Sequence, residues 1–184
     1  MTPPLLTLLA HWLPANDVLE RPQVILSTRS ADGGVDARTV LLSEWDDEGL
    51  YFHTDSRSRK ARDIAADPAV AMTFLWPNFT RQLVVQGIAS VAPPDEQARA
   101  FANRSPYLKQ LAWLNSAEFA QLPLEGRKAQ WAAFSVPADA PATWIGFIVR
   151  PTRLTFWESN AEAASRREEY ALVDGAWEVS YLAG

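Results

Sequence analysis

The strongest constraint on the fold is the way strand-like runs and helix-like runs are ordered. Short apolar or alternating runs at 23–30, 35–45 and 50–54 are separated by Ala31-Asp32-Gly33-Gly34 and Asp46-Asp47-Glu48-Gly49. Runs joined by such short turns form hairpins, so this part reads as an antiparallel meander. Further strands are expected at 69–76, 80–91, 143–149, 153–157, 169–173 and 176–181, with Asp174-Gly175 as a hairpin turn between the last two. The run 69–76 has few polar residues and reads as buried on both faces. Helical spacing occurs at 3–13, 59–66, 94–103, 107–115 and 127–134. These helices interrupt the strands instead of alternating with them. The expected class is therefore mainly β with helical insertions, a closed antiparallel barrel rather than a parallel α/β sheet. The chain reads as one domain, residues 1–184, with a lead-in at 1–20 and a helical insertion at 94–134.

Composition removes several function classes. There is no cysteine, so thiolate metal sites, disulfides and cysteine nucleophiles are out. His11 and His53 are the only histidines and lack metal-ligand spacing. A net charge of −5 argues against nucleic acid as a partner. No apolar run reaches membrane-span length and no signal core is visible, so a cytoplasmic protein without membrane contact is expected. Neither histidine is near a serine in sequence and no Gly-x-Ser-x-Gly exists, which speaks against a hydrolase triad.

One stretch carries chemistry. Leu50-Tyr51-Phe52 leads into Thr54-Asp55-Ser56-Arg57-Ser58-Arg59-Lys60, and a helix follows. Ser58 suits the N-cap, since its hydroxyl can accept from free first-turn amides. Those amides, with Arg59 and Lys60 beside them, suit a phosphate. Cations at a helix start oppose the macrodipole, which a bound anion would relieve. Arg38 in the run Ala37-Arg38-Thr39-Val40-Leu41-Leu42 is a second candidate phosphate ligand, because a guanidinium can engage two oxygens. Its other reading is a solvent-facing strand arginine. Gln82 can both donate to and accept from a heteroaromatic ring. No Gly-x-Gly-x-x-Gly or P-loop is present, so a nucleotide would depend on such side chains.

Several landmarks fall in a recognisable order. They are Arg38-Thr39-Val40-Leu41-Leu42, Phe52-His53-Thr54, Ser58-Arg59-Lys60-Ala61, Phe74-Leu75-Trp76-Pro77 and Arg81-Gln82-Leu83-Val84-Val85-Gln86-Gly87, then Trp144-Ile145-Gly146-Phe147, Pro151 and Phe156-Trp157. In this the chain resembles the pyridoxamine 5′-phosphate oxidase family from about residue 23 to residue 182. The resemblance implies a split β-barrel that binds FMN at the interface of a homodimer, and an oxidoreductase acting on a small molecule. It implies that Arg38 and Lys60 bind the FMN phosphate, with Ser58 and Arg59 alongside. Thr39, Val40 and Leu41 would run along the flavin and ribityl chain, and His53 and Thr54 would also touch FMN. Gln82 would hydrogen-bond the ring, and Trp157 and Arg167 would reach it from the other subunit.

The departures are concentrated on the substrate side. His53 stands where the family usually has Tyr. The family's substrate-phosphate positions read Ser43, Ala100, Arg104 and Leu108, so Arg104 alone keeps its type. The substrate-covering Arg-Leu-His reads Ala163-Ala164-Ser165, a Gln-Ser pair reads Ala117-Glu118, and the chain closes on Tyr181-Leu182-Ala183-Gly184. The expectation is an FMN-dependent oxidoreductase with an altered substrate pocket. A true pyridoxamine or pyridoxine phosphate oxidase, a flavin-storage protein and a flavin-free barrel holding haem are the alternatives.

Overall fold

The computed structural model describes residues 1–184, apart from the side chains of Pro3, Pro4 and Phe79. The order of elements is α1 (Pro3–Trp12), β1 (Gln23–Arg29), β2 (Val35–Leu41), β3 (Glu44–Trp45), β4 (Leu50–Asp55), α2 (Arg59–Ala66), β5 (Ala69–Leu75), β6 (Arg81–Val91), α3 (Pro94–Ala102), α4 (Pro106–Leu114), α5 (Ala117–Gln121), α6 (Leu124–Ala133), β7 (Trp144–Glu158), β8 (Arg166–Val173) and β9 (Ala176–Ala183). All strands join one antiparallel sheet ordered β2-β1-β5-β6-β7-β4-β3, with β8 paired to β7 and β9 paired to β8. The sheet curls into a half-barrel around an apolar interior of Leu26, Phe52, Met72, Phe74, Leu83, Val85 and Leu154. Burial alternates along β1 and β5, as a period-two strand with one buried face requires.

Four expectations are corrected. The meander does not continue from β2 to β4, because β4 pairs with β7. The barrel is also not closed: β2 and β4 come close but share no ladder, so the sheet stays open along a seam. β5 is buried on one face only, with Ala69 and Leu75 exposed. The runs at 143–149 and 153–157 form one long strand, β7, because the register shift at Gln86/Gly87 absorbs the irregularity at Pro151. A Cβ on Gly87 would lie 2.2 Å from the Arg150 carbonyl oxygen, which explains glycine there. The helix α5 had no clear periodic signal. The expected Asp174-Gly175 turn forms, with φ of 48° and 83°, the left-handed pair of a two-residue hairpin.

Helices α3 to α6 lie between β6 and β7. Trp144 Nε1 donates to the Gln97 carbonyl at 3.1 Å, and the Gln97 side chain accepts from Gly146 N at 3.0 Å. These bonds seat α3 on the start of β7. Among the described residues no helix is long and apolar enough to cross a membrane.

Candidate cofactor and substrate site

The open seam is where the chemistry gathers. A cavity of about 390 Å³ lies between β2 and β4 and under α4. Its walls include Thr39, Val40 and Leu41 from β2, His53 and Thr54 from β4, and Ser58 and Lys60 from the turn into α2. Strand edges that do not pair here leave room for a ligand.

At one end Ser58 caps α2, its Oγ accepting from Ala61 N at 3.4 Å. Lys60 Nζ donates to Thr54 Oγ1 at 3.0 Å and has no carboxylate ion pair among the described residues. Burial, then the nearby Arg38 charge, lowers the Lys60 pKa. An ammonium that is desolvated and repelled by a neighbouring cation favours an anion close by. Asp55 also borders the cavity, but its carboxylate is engaged by Arg57 at 2.8 Å, and that bond holds its pKa below the usual value.

Arg38 is placed differently from a free phosphate ligand. It pairs with Leu26 on the inward face of β2. Its guanidinium donates to Thr28 Oγ1 at 2.8 Å and Asp36 at 2.6 Å, and stands 3.5 Å from buried Asp63. It is neither a bare nor a solvent-facing strand arginine. Arg59 leans away, 3.5 Å from Asp36, and is exposed. Thus Lys60 and Ser58 face the cavity, Arg38 stands behind them, and Arg59 lies outside its walls.

Gln82, Trp157 and Arg167 are not brought to this cavity within one chain. They form a row of ladder partners across β6, β7 and β8. On the same outward face lie exposed Ile25, Leu75 and Ile88, since side chains alternate and ladder partners share a face.

A second cavity, about 510 Å³, adjoins the first and shares Leu41, Arg104 and Leu108 with it. The altered positions Ser43, Ala100 and Leu108, and the retained Arg104, all border it. Arg104 lies over the Trp144 ring at 4.4 Å, and burial lowers its pKa to about 10. It makes no ion pair among the described residues, and it stands where the two cavities meet, with Trp144 on the side of the first. The second cavity is also lined by Arg21, likewise without an ion pair among the described residues, and by the carboxylates of Asp17 and Glu44, of which Glu44 is held by Arg99. Ala164 and Ser165 sit elsewhere, near His11 and Trp12, while Ala117 and Glu118 lie by Arg57 and Arg59.

One constellation escaped sequence reasoning. His53 Nδ1 lies 2.8 Å from Ser43 Oγ, and its Nε2 lies 3.1 Å from Glu96 Oε2. The imidazole is buried and stacks on Trp144, with centroids 4.9 Å apart and planes 7° apart. The usable signals were the paired departures at 43 and 53, and Gly146, which faces His53 across the ladder.

Residues 15–133 match the family model described as pyridoxamine 5′-phosphate oxidase. Curated relatives named pyridoxine/pyridoxamine 5′-phosphate oxidase include one from Streptomyces avermitilis, 36% identical over 90% of this chain and 77% of its own length. Another, from Porphyromonas gingivalis, is 32% identical over 100% of this chain and 90% of its own. Among solved structures, PhzG from Burkholderia lata, crystallised with tetrahydrophenazine-1-carboxylic acid, matches with a TM-score of 0.80 at 25% identity, covering 97% of this chain and 92% of its own. A pyridoxamine 5′-phosphate oxidase-related, FMN-binding protein from Nostoc punctiforme has the same fold, with a TM-score of 0.79 at 16% identity, over 100% of this chain and 99% of its own. Sequence span, identity and split-barrel topology agree: the chain belongs to the pyridoxamine 5′-phosphate oxidase family.

Proposed function

We propose that this protein is an FMN-dependent oxidoreductase that works as a cytoplasmic homodimer on a small, flat substrate with one anionic group. The observation that carries the reading is the seam cavity, with Lys60 and the Ser58-capped helix at one end and Thr39, Val40, Leu41 and Thr54 along its walls. That donor set suits a phosphate ester with an apolar, planar body. Lys60 and Ser58 would hold the phosphate, Arg38 would add charge from behind, and β2 would flank the ring. Bound flavin supplies the hydride chemistry, and the protein supplies position and field.

The outward row Gln82-Trp157-Arg167, beside exposed Ile25, Leu75 and Ile88, supports a second copy completing the site. Size-exclusion with light scattering tests this. A dimer that weakens in Leu75→Glu is expected, and a monomer at all concentrations would overturn it.

The substrate side favours something other than pyridoxamine phosphate. Ser43, Ala100 and Leu108 offer its phosphate far less than the Lys, Tyr and Ser implied by the family resemblance. Each charged hydrogen bond lost costs about 1.5–3 kcal/mol, so two losses weaken binding by orders of magnitude. Arg104 remains for a single carboxylate, and the carboxylic acid bound by PhzG is of that kind. The retained Arg104 and the names of the curated relatives favour a second reading, a true pyridoxamine phosphate oxidase with a rebuilt pocket.

The test is optical. The purified protein should be yellow, or take up added FMN, and an aromatic carboxylate reductant should bleach it under anaerobic conditions. Peroxide release on pyridoxamine phosphate would select the second reading. A protein that stays colourless with added FMN would overturn both.

A further inference from the structure

We propose that Ser43, backed by His53 and Glu96, is the group that takes a proton from the substrate in the cavity beside the cofactor. This rests on the oxidoreductase reading for the identity of the reaction, but not for the chemistry of the relay. The polarity of the chain follows from its buried end. Glu96 is 4% exposed, and among the described residues its Oε1 has no hydrogen-bond partner, so the bond from His53 to its other oxygen is the carboxylate's one side-chain hydrogen bond there. A carboxylate only accepts, so His53 Nε2 carries the proton and donates to it. Nδ1 is then the acceptor, and the Ser43 hydroxyl donates to it at 2.8 Å. This leaves the Ser43 oxygen lone pairs free toward the cavity that Ser43 borders with Arg104 and Leu108.

Arg99 and Tyr51 feel the Glu96 charge but make their hydrogen bonds elsewhere. Arg99 is held by Glu44 at 2.9 Å, and Tyr51 donates to Asp46 at 2.9 Å. The position also suits the task. Ser43 faces the second cavity, His53 faces the first, and Arg104 borders both. In the step, a substrate N–H or O–H proton passes to Ser43 Oγ as the Ser43 proton passes to His53 Nδ1. The resulting imidazolium stays hydrogen-bonded to the Glu96 carboxylate. No electrons move in this step; bound flavin would supply the hydride chemistry of the proposed reaction.

A merely structural hydrogen-bonded triple would not make the serine reactive. Diisopropyl fluorophosphate reports reactivity directly: Ser43 Oγ bonds to phosphorus, fluoride leaves, and the serine proton goes to His53. We expect peptide mass spectrometry to place the adduct on Ser43, formed at least ~10-fold faster than on any other serine. His53→Gln should slow it ~100-fold and Glu96→Gln ~10-fold, the scale of general-base assistance. Circular dichroism of both variants checks folding, and Glu96→Gln alone suffices if His53→Gln does not fold. No adduct on Ser43, or an unchanged rate in the folded variants, overturns the proposal. The labelling is run with and without FMN. Ser43 labelling in a protein that cannot take up FMN keeps the relay and removes the flavin reading. A yellow protein with an inert Ser43 does the reverse.

Discussion

Gly146 lies opposite His53 in the β4–β7 ladder, and a Cβ there would come within 2.7 Å of His53 Nε2. The same Cβ would lie 2.9 Å from Gln97 Cγ. The imidazole is held on its other sides by Ser43, Glu96 and Trp144, so it has little room to yield. Gly146→Ala is therefore expected to destabilise the fold by about 1–3 kcal/mol, the scale of overpacking a filled site. Urea denaturation measures this. Unchanged stability would mean that His53 moves freely.

Arg38 and Asp63 set the second prediction. Asp63 is 3% exposed and accepts from Thr28 at 2.8 Å, with the Arg38 guanidinium 3.5 Å away. Arg38→Ala leaves this buried carboxylate without its cation. Breaking such a pair costs about 3–5 kcal/mol, at the low end here because Arg38 is not fully buried. The double variant Arg38→Ala/Asp63→Asn should recover much of the loss. Lys60→Ala, by contrast, should leave the melting temperature within a few degrees, because among the described residues Lys60 has one neutral hydrogen-bond partner. It should still release FMN on desalting. Equal effects of Arg38→Ala and Lys60→Ala on stability would contradict this division of labour.

This contrast shows what could be read from the chain alone. Ser58 as N-cap and Lys60 as a cavity cation were legible because capping is local, settled within one turn of helix. Arg38 was visible as an anomaly, but its carboxylates on α2 and on its own strand were not, since pairing depends on how α2 packs over β1. The Glu96 contact with His53 was still harder, because it requires α3 to be folded back on β7 through Gln97. The open seam was missed for a related reason. A meander is the default for three strands with short turns, and only the longer-range β4–β7 ladder overrides it.

Arg104 is predicted to trade stability for binding. It is charged at neutral pH, stripped of much of its water, and without an anionic partner among the described residues. The sign follows from its lowered pKa. Between about 10 and the ordinary arginine value the unfolded chain binds more protons than the native one, so the cost of burying the cation is complete below about 10 and is relieved as pH rises through that window. Arg104→Met removes the charge but keeps a long apolar stem against Trp144. Its melting temperature at neutral pH should rise by a few degrees, while affinity for an aromatic carboxylate falls ~10-fold or more. Differential scanning fluorimetry with and without benzoate reads both effects. A lower melting temperature in Arg104→Met would show that the guanidinium stabilises the free protein.

Asp55 and Arg57 give the acid limb of the proposed FMN site. The Arg57 hydrogen bond, opposed by burial, holds the Asp55 carboxyl below its ordinary 3.8. A depressed carboxylate pKa means the native state binds fewer protons than the unfolded chain, so this contact stabilises above 3.8 and is lost as pH falls through the lowered value. Asp55 also sits in the turn that delivers Ser58 and Lys60 to the cavity, with Ser58 N donating to its carbonyl at 3.0 Å. Arg57→Ala should therefore lower the melting temperature at neutral pH, and the difference from the parent should vanish once Asp55 is protonated in both states. FMN release on acidification should begin at a higher pH in Arg57→Ala. Thermal melts and flavin fluorescence across an acid series check both effects, and a melting difference that persists undiminished in acid would separate the turn from this ion pair.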